Sequence, residues 1–457
     1  MREFRVLSPT AILGYGFPAA SFEAGMALKP HVIAVDAGST DPGPYYLGSG
    51  KSFTDRGAVK RDLEFMLMAA NKEDIPVIIG TAGGSGADIH LDWNVEIIKE
   101  IASQKALSFK MAIISAQIDK EIVKKKFDEG KLKGYFPAPT PTKKDIEDSV
   151  RIVAQMGHEP IIDALKAGAK VIVTGRAYDP TVFAALAILE GFDPGLALHM
   201  GKILECAAIA STPGSGSDCM FGYLRDKDGE GHFELATLNP ARKCTTTSIA
   251  AHTLYEKSNP TKLPGPGGVL DLTNTTFEQA SENTVIVRGS RFIPDSDYYI
   301  KLEAARKLGY RTVSFAATAD PIMIKELDET IKSVKERVEG NFNNMGEFFL
   351  DFKIYGSSGA SFYATSSVMA EAAIIIEAVA QTPELADTIC SFARSSLLHF
   401  GYTGRKSTAG NLAFPFSPSD FRGGEVFEFS LYCLMAVESA VEYFPIKICR
   451  CEKGVLV

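Results

Sequence analysis

Residues 31–51 read HVIAVDAGSTDPGPYYLGSGK, and their pattern decides how the rest of the chain is read. Residues 32–35 are apolar, no charge comes before Asp36, and the chain then breaks into Gly, Ser, Thr, Asp and Pro. A short apolar run that ends abruptly in small polar residues reads as an inner strand of a parallel sheet, handing a loop to its carboxyl edge. Open α/β sheets bind their ligands at that edge. Asp36, Ser39, Thr40 and Asp41 would present two carboxylates and two hydroxyls there, with Tyr45, Tyr46 and Lys51 adding rings and a cation. A solvated loop turned by glycine and proline would look much the same; recurrence separates the two.

The event recurs four times within the first 205 residues. Residues 5–14 form an apolar run ending in Gly14-Tyr15-Gly16, and 76–81 (PVIIGT) run into Ala82-Gly83-Gly84-Ser85-Gly86-Ala87-Asp88. Residues 111–115 lead to Gln117 and Asp119, and 170–174 lead to Gly175-Arg176-Ala177-Tyr178-Asp179. Helical spacing predicts helices over 58–71, from Asp92 onward and over 149–167. Strand–helix alternation implies right-handed βαβ units and a mostly parallel sheet flanked by helices. Parallel strands share a direction, so their loops meet on one edge. Asp36, Asp41, Asp88, Asp119, Arg176 and Asp179 should therefore converge on one cleft.

Near Cys206 the pattern changes. Loop 211–217 (STPGSGS) is followed by strand-like runs at 220–224, 232–237, 284–289 and 311–316, with a helix over 248–256 carrying His252. The stripe Ile324, Leu327, Ile331, Val334 and Val338 reads as helix core packing. Residues 348–355 alternate as a half-buried strand, 369–380 (MAEAAIIIEAVA) read as a buried helix, and Thr382-Pro383-Glu384 opens a further helix ending at His399. The expected architecture is an α/β domain over 1–205 bearing a loop-lined active-site edge. An α+β region over 206–457 would complete the cleft and the oligomer interface.

Within that cleft, Asp36 and Asp179 are the acid/base candidates and Arg176 is the group able to clamp a carboxylate. A structural Arg–Asp pair would show the same spacing. Ser39, Thr40, Asp41, Gly83, Gly84, Ser85 and Asp88 are candidate substrate contacts, and a loop over 401–420 bearing Arg405, Lys406 and Asn411 would close over them. Gly83-Gly84-Ser85-Gly86 could cradle an anion with its amides, or serve as a tight turn. It is neither G-x-G-x-x-G nor a Walker loop. Clustered aspartates suit Mg²⁺ or Mn²⁺, but no ordered D-x-D motif organises them and no His/Cys spacing suits zinc, so no metal and no cofactor is assigned. His252 and His399 lie near polar clusters; a hydrogen-bonded structural role is the commoner one for a lone histidine. No G-x-S-x-G elbow is present.

Composition narrows the partners. A net charge of −8 with no basic stripe argues against nucleic acid. No window is apolar enough to span a membrane, and the start MREFRVLSPT lacks the apolar core of a secretory signal. Seven scattered cysteines suit a reducing compartment, so a cytoplasmic location is expected. A small anionic substrate and a homo-oligomer are the expected partners, the latter from the apolar run 369–380 and the aromatics Phe427, Phe429, Tyr432, Tyr443 and Phe444.

Five segments carry a resemblance: 35–50 (VDAGSTDPGPYYLGSG), 79–88 (IGTAGGSGAD), 173–183 (VTGRAYDPTVF), 246–256 (TTSIAAHTLYE) and 394–420 (RSSLLHFGYTGRKSTAGNLAFPFSPSD). With these the chain resembles the acyclic terpene utilisation family over nearly its whole length. The resemblance implies cytosolic catabolism of branched terpenoid acids through acyl-CoA intermediates, and the carboxylates, hydroxyls and arginine of the loop edge suit proton transfer beside a branched or hydroxy carboxylate or its acyl-CoA thioester, of lyase, hydratase or isomerase type. Its alternatives are a non-catalytic acyl-CoA-binding or scaffold subunit and, further off, a Mg-dependent phosphate-handling enzyme. The resemblance brings no catalytic residue with it. Many such proteins carry a further small α/β domain, fused or separate, so a small companion α/β protein is an expected partner. Residues 449–457 depart from the family pattern.

Overall fold

The computed structural model describes residues 2–227, 229–255, 259–356, 371–405 and 411–457. The chain forms two compact units, Met1–Arg306 with Phe429–Val457, and Lys307–Glu428.

The first unit is organised by the buried runs of the sequence. Strands β1 (Arg2–Ser8), β2 (Val32–Asp36), β3 (Val77–Gly80), β4 (Ser108–Ile114) and β5 (Val171–Thr174) pair in the order β1-β2-β3-β5-β4, all parallel. Antiparallel strands extend both sides. β6 (Met220–Lys227), β7 (Glu230–Thr237), β8 (Thr276–Ser281) and β9 (Thr284–Arg288) add β8-β9-β7-β6 beside β1, and β10 (Ile446–Glu452) with β11 (Val455–Leu456) adds to β4. Side chains alternate between two cores, as a strand period of two requires. Val32, Ala34, Ile78, Ala112 and Ile172 pack with helices Asp179–Leu189 and Pro194–Leu204. Ile33, Val35, Val77, Ile79 and Val173 pack with helices Arg56–Glu73 and Asp88–Gln104. These four helices are α3, α4, α1 and α2 in chain order α1 Arg56–Glu73, α2 Asp88–Gln104, α3 Asp179–Leu189 and α4 Pro194–Leu204. Burial on both faces explains why β2, β3 and β5 are continuous hydrophobic runs.

Three sequence expectations change. Residues 149–155 are a strand, Ser149–Gln155, rather than the start of a helix; the helix is only Glu159–Lys166. The β-branched run SVRIVAQ pairs antiparallel with 301–306, which a helix could not. Residues 372–380 are also a strand, Ala372–Ala380, where a buried helix was expected. It lies between two neighbours and is covered, and such a run has no periodicity that separates strand from helix. α2 begins at Asp88, four residues before Asp92. Met369, Glu256 and Lys406 lie outside the described residues.

The second unit places strands Phe348–Tyr355, Ala372–Ala380, 307–318 and 420–428 side by side in that order. Helices Leu327–Phe342 and Pro383–Leu398 cover one face, with Val334, Val338, Ile374, Ile376, Ile389 and Leu397 in its core. Among the described residues no helix is long and apolar enough to cross a membrane.

One buried carboxylate pins the loop after β1. Asp62 on α1 is fully buried and accepts hydrogen bonds from the amides of Gly14 (2.9 Å) and Gly16 (3.0 Å) and from Arg61 (2.7 Å). Gly14 and Gly16 both hold positive φ, at 102° and 79°. Asp62→Ala would orphan two amides, so urea unfolding should show a loss of about 2–4 kcal/mol.

Candidate active site

The carboxyl ends of β1, β2 and β5 open into a cavity of about 700 Å³. Its walls come from the loop after β1 (Ile12, Tyr15), the loop after β2 (Asp36, Ser39, Thr40, Asp41), the start of α3 (Asp179) and the end of α4 (Lys202, Glu205, Cys206). The fifth wall is helix α5 (Thr246–Leu254), contributing Ser248 and His252, with Tyr255 beyond it. A second cavity of about 550 Å³ shares Thr40 and Asp179 with the first and is lined by Arg176, Tyr178, Tyr299 and Lys301.

Asp36 ends β2 and is 3% exposed. One carboxyl oxygen, Oδ1, is buried without a hydrogen-bond partner, and a Cβ on Gly80 would lie 2.8 Å from it, so Gly80 is the space Asp36 needs. Burial, then the charge of Asp179, pushes the Asp36 carboxyl well above the usual carboxylate range; Arg176 opposes this and Glu205 adds to it. Burial and the neighbouring carboxylate thus both favour the neutral form of Asp36.

Arg176 is 6% exposed and fully engaged. Its Nε and Nη2 donate to the two carboxylate oxygens of Glu303 (2.9 and 3.3 Å), and Nη1 donates to Asp179 (2.8 Å) and to the Ala177 carbonyl (2.8 Å). Lys301 meets the same Glu303 at 2.8 Å. Strand Ser149–Gln155 brings Glu303 within reach: it pairs with 301–306 while Met156 bridges to Ala177. Burial alone would raise the Glu303 pKa; Arg176 and Lys301 outweigh it and hold it at about 2.

On the opposite wall Lys202 pairs with Glu205 and lies 5.1 Å from the centre of the Tyr255 ring. Burial by itself would lower the Lys202 pKa, but Glu205, Tyr255 and Asp179 raise it well above the usual lysine value. Cys206 Sγ lies 3.0 Å from the Tyr255 hydroxyl, and burial pushes its thiol up to about 12, so it is no thiolate nucleophile. His252 stacks on Tyr255 at 4.5 Å.

The predicted residues separate into four groups. Asp36, Ser39, Thr40, Asp41 and Asp179 line the main cavity. Gly84, Ser85 and Arg176 join Ser39, Thr40 and Glu303 in a small neighbouring recess. Gly83, Asp88 and Asp119 line none of these cavities: Asp88 accepts a hydrogen bond from Ser115 at 2.5 Å and Asp119 caps helix Lys120–Asp128. The glycine-rich loop is a packing device. The amides of Gly84, Ser85 and Gly86 donate to carbonyls of the same loop, and a Cβ on Gly86 would meet the Arg176 nitrogen at 2.2 Å. Arg405 and Asn411 belong to the second unit, where Arg405 donates to the carbonyls of His399 and Phe400 and Asn411 to that of Phe400.

Lys202, Glu205, Cys206, Ser248 and Tyr255 were missed by the sequence argument. The available signal was a lysine and a glutamate three residues apart in the otherwise apolar stretch PGLALHMGKILECAAIA, residues 194–210. Among the described residues no group of three or more His, Cys, Asp or Glu could hold a metal ion.

The model of the acyclic terpene utilisation family protein AtuA matches residues 55–411. The chain belongs to this family. No curated protein and no solved structure matches it significantly.

Two expectations follow from the shifted carboxyls. Asp36 has its folded pKa raised above the free value of 3.8, so the stability it contributes is present below that value and lost as pH rises through the folded pKa. Asp36→Asn should therefore melt higher than wild type at pH 8, with the gap shrinking towards pH 4. Glu303 is depressed from 4.5 to about 2, so its contribution is present above pH 4.5 and lost as pH falls towards 2. Glu303→Gln should cost roughly 3 kcal/mol at pH 7, measured by denaturant unfolding, and should flatten the acid limb.

Proposed function

We propose that this chain is an enzyme moving a proton beside the carbonyl of a branched acyl thioester, in a dehydration, hydration or double-bond isomerisation. The observation that carries this reading is the pair of interacting carboxyl groups that line one cavity. Asp36 is buried, which favours its neutral form, and Asp179 is salt-bridged to Arg176. A carboxyl whose neutral form is favoured by burial, beside a carboxylate held by an arginine, can divide acid and base work with it. In a dehydration, Asp179 takes the α-proton, Asp36 gives its proton to the departing hydroxyl, and water leaves; proton exchange between the two carboxyls resets the site. Arg176 touches both its carboxylate partners and so positions Asp179.

The charge of the cavity favours a thioester over a free acid. Asp41, Asp179 and Glu205 face it with Lys202 as the cation, and Lys202 is paired with Glu205. A free carboxylate would meet like charge, while a neutral thioester carbonyl would not. Ala11, Ile12, Phe53, Ile209 and Ala251 supply apolar wall for a branched hydrocarbon chain. Membership of the acyclic terpene utilisation family supports a catabolic setting for that chemistry. A phosphate-handling reading has no metal-ligand group among the described residues to support it.

The test is deuterium uptake. Incubated in D₂O with branched enoyl-CoA and 3-hydroxyacyl-CoA thioesters, wild type should introduce deuterium next to the carbonyl, read by mass spectrometry. Asp36→Asn and Asp179→Asn should each lower that rate by about a hundredfold or more while still folded. Folded wild type that exchanges no proton with either class would overturn the reading in favour of a binding or scaffold role.

A further inference from the structure

Strand Phe348–Tyr355 is the outermost strand of the second unit's sheet, paired on one side with Ala372–Ala380 from Phe348↔Ala380 to Tyr355↔Ala373. Among the described residues nothing pairs with its other side. An eight-residue edge of this kind is a template for another strand unless it is blunted. It carries no proline and no bulge.

The sequence of the edge, FFLDFKIY, is complementary to itself. Leu350, Phe352 and Ile354 face the helix-covered core. Phe349, Asp351, Lys353 and Tyr355 stand on the opposite face, where Phe349 and Tyr355 are each 58% exposed. A two-fold axis normal to the sheet would continue both layers, helices beside helices, and it demands that a residue near the middle of the strand lie opposite itself. Centring on Asp351 sets two carboxylates face to face. Centring on Lys353 sets two ammonium groups face to face. Centring on Phe352 puts Asp351 opposite the partner's Lys353 twice over, Phe349 opposite the partner's Tyr355, and Leu350 opposite the partner's Ile354. Opposite charges and aromatic pairs are the favourable cross-strand neighbours of an antiparallel ladder.

We propose that two copies of this chain join edge to edge through Phe348–Tyr355, antiparallel, in the register that sets Phe352 against the partner's Phe352. The exposed rings then cover one another and continue the groove of about 550 Å³ that Phe348, Phe349 and Val379 line beside the strand. The interface is independent of the cavity chemistry, which sits in the first unit.

Charge reversal tests the register. Light scattering of wild type at micromolar concentration should give the mass of two chains. Asp351→Lys and Lys353→Asp should each weaken the dimer about tenfold, because two symmetry-related ion pairs become like-charge pairs. The double variant, Asp351→Lys with Lys353→Asp, should return to near wild-type affinity. Within the chain Asp351 also meets Lys335 and Lys353, and Lys353 meets Glu377, so each variant is checked by thermal melting. Should a reversal unfold the unit, Asp351→Asn with Lys353→Gln replaces it: the wild-type dimer should weaken with added salt and the neutral one should not. A monomeric wild type, a dimer indifferent to reversal or to salt, or a double variant that fails to recover would each overturn the proposal.

Discussion

The guanidinium of Arg176 is the point on which the cleft depends. It lies buried at the end of an inner strand, gripped by Glu303 and Asp179, with Lys301 closing the network behind Glu303. A buried cation without these partners would be strongly destabilising, and so would the carboxylates without it. The network therefore locks together three parts of the chain far apart in sequence: the loop after β5, the start of α3 and strand 298–306. By anchoring Asp179 it also holds in place the charge that, after burial, raises the Asp36 carboxyl above the usual carboxylate range.

Close backbone approach is the second constraint. The loops after β2, β3 and β5 stack on each other: Ser39 donates to the Gly84 carbonyl, Phe53 to that of Gly83, and Arg176 to that of Gly86. His90 accepts from the Ala87 amide at Nδ1, so its Nε2 carries the proton donated to the Lys51 carbonyl, and burial keeps its pKa down at about 4. Glycines crowd this edge because a side chain would collide with a neighbouring loop. In the structure the amides of Gly84, Ser85 and Gly86 donate to carbonyls of their own loop.

The parallel sheet was legible because its physics is local: a strand buried on both faces must be an unbroken apolar run, and the loop that follows must be polar. Asp36, Thr40, Asp41 and Asp179 could be placed on one edge by direction alone. The two strands misread as helix, Ser149–Gln155 and Ala372–Ala380, failed for the converse reason. Short apolar runs carry no period that separates helix from strand, and only a partner strand decides.

The sequence by itself determined which residues end strands, and so which loops gather at the carboxyl edge. Tertiary structure decided what those residues do there. Arg176 reads as free to hold a ligand until Glu303, 127 residues later, takes its fork. Lys202 and Glu205 join Tyr255 at one cavity only because the end of α4 and the end of α5 meet there. Ionisable groups are set by what surrounds them in space, through burial and neighbouring charge, and neither quantity is written in the order of residues along the chain.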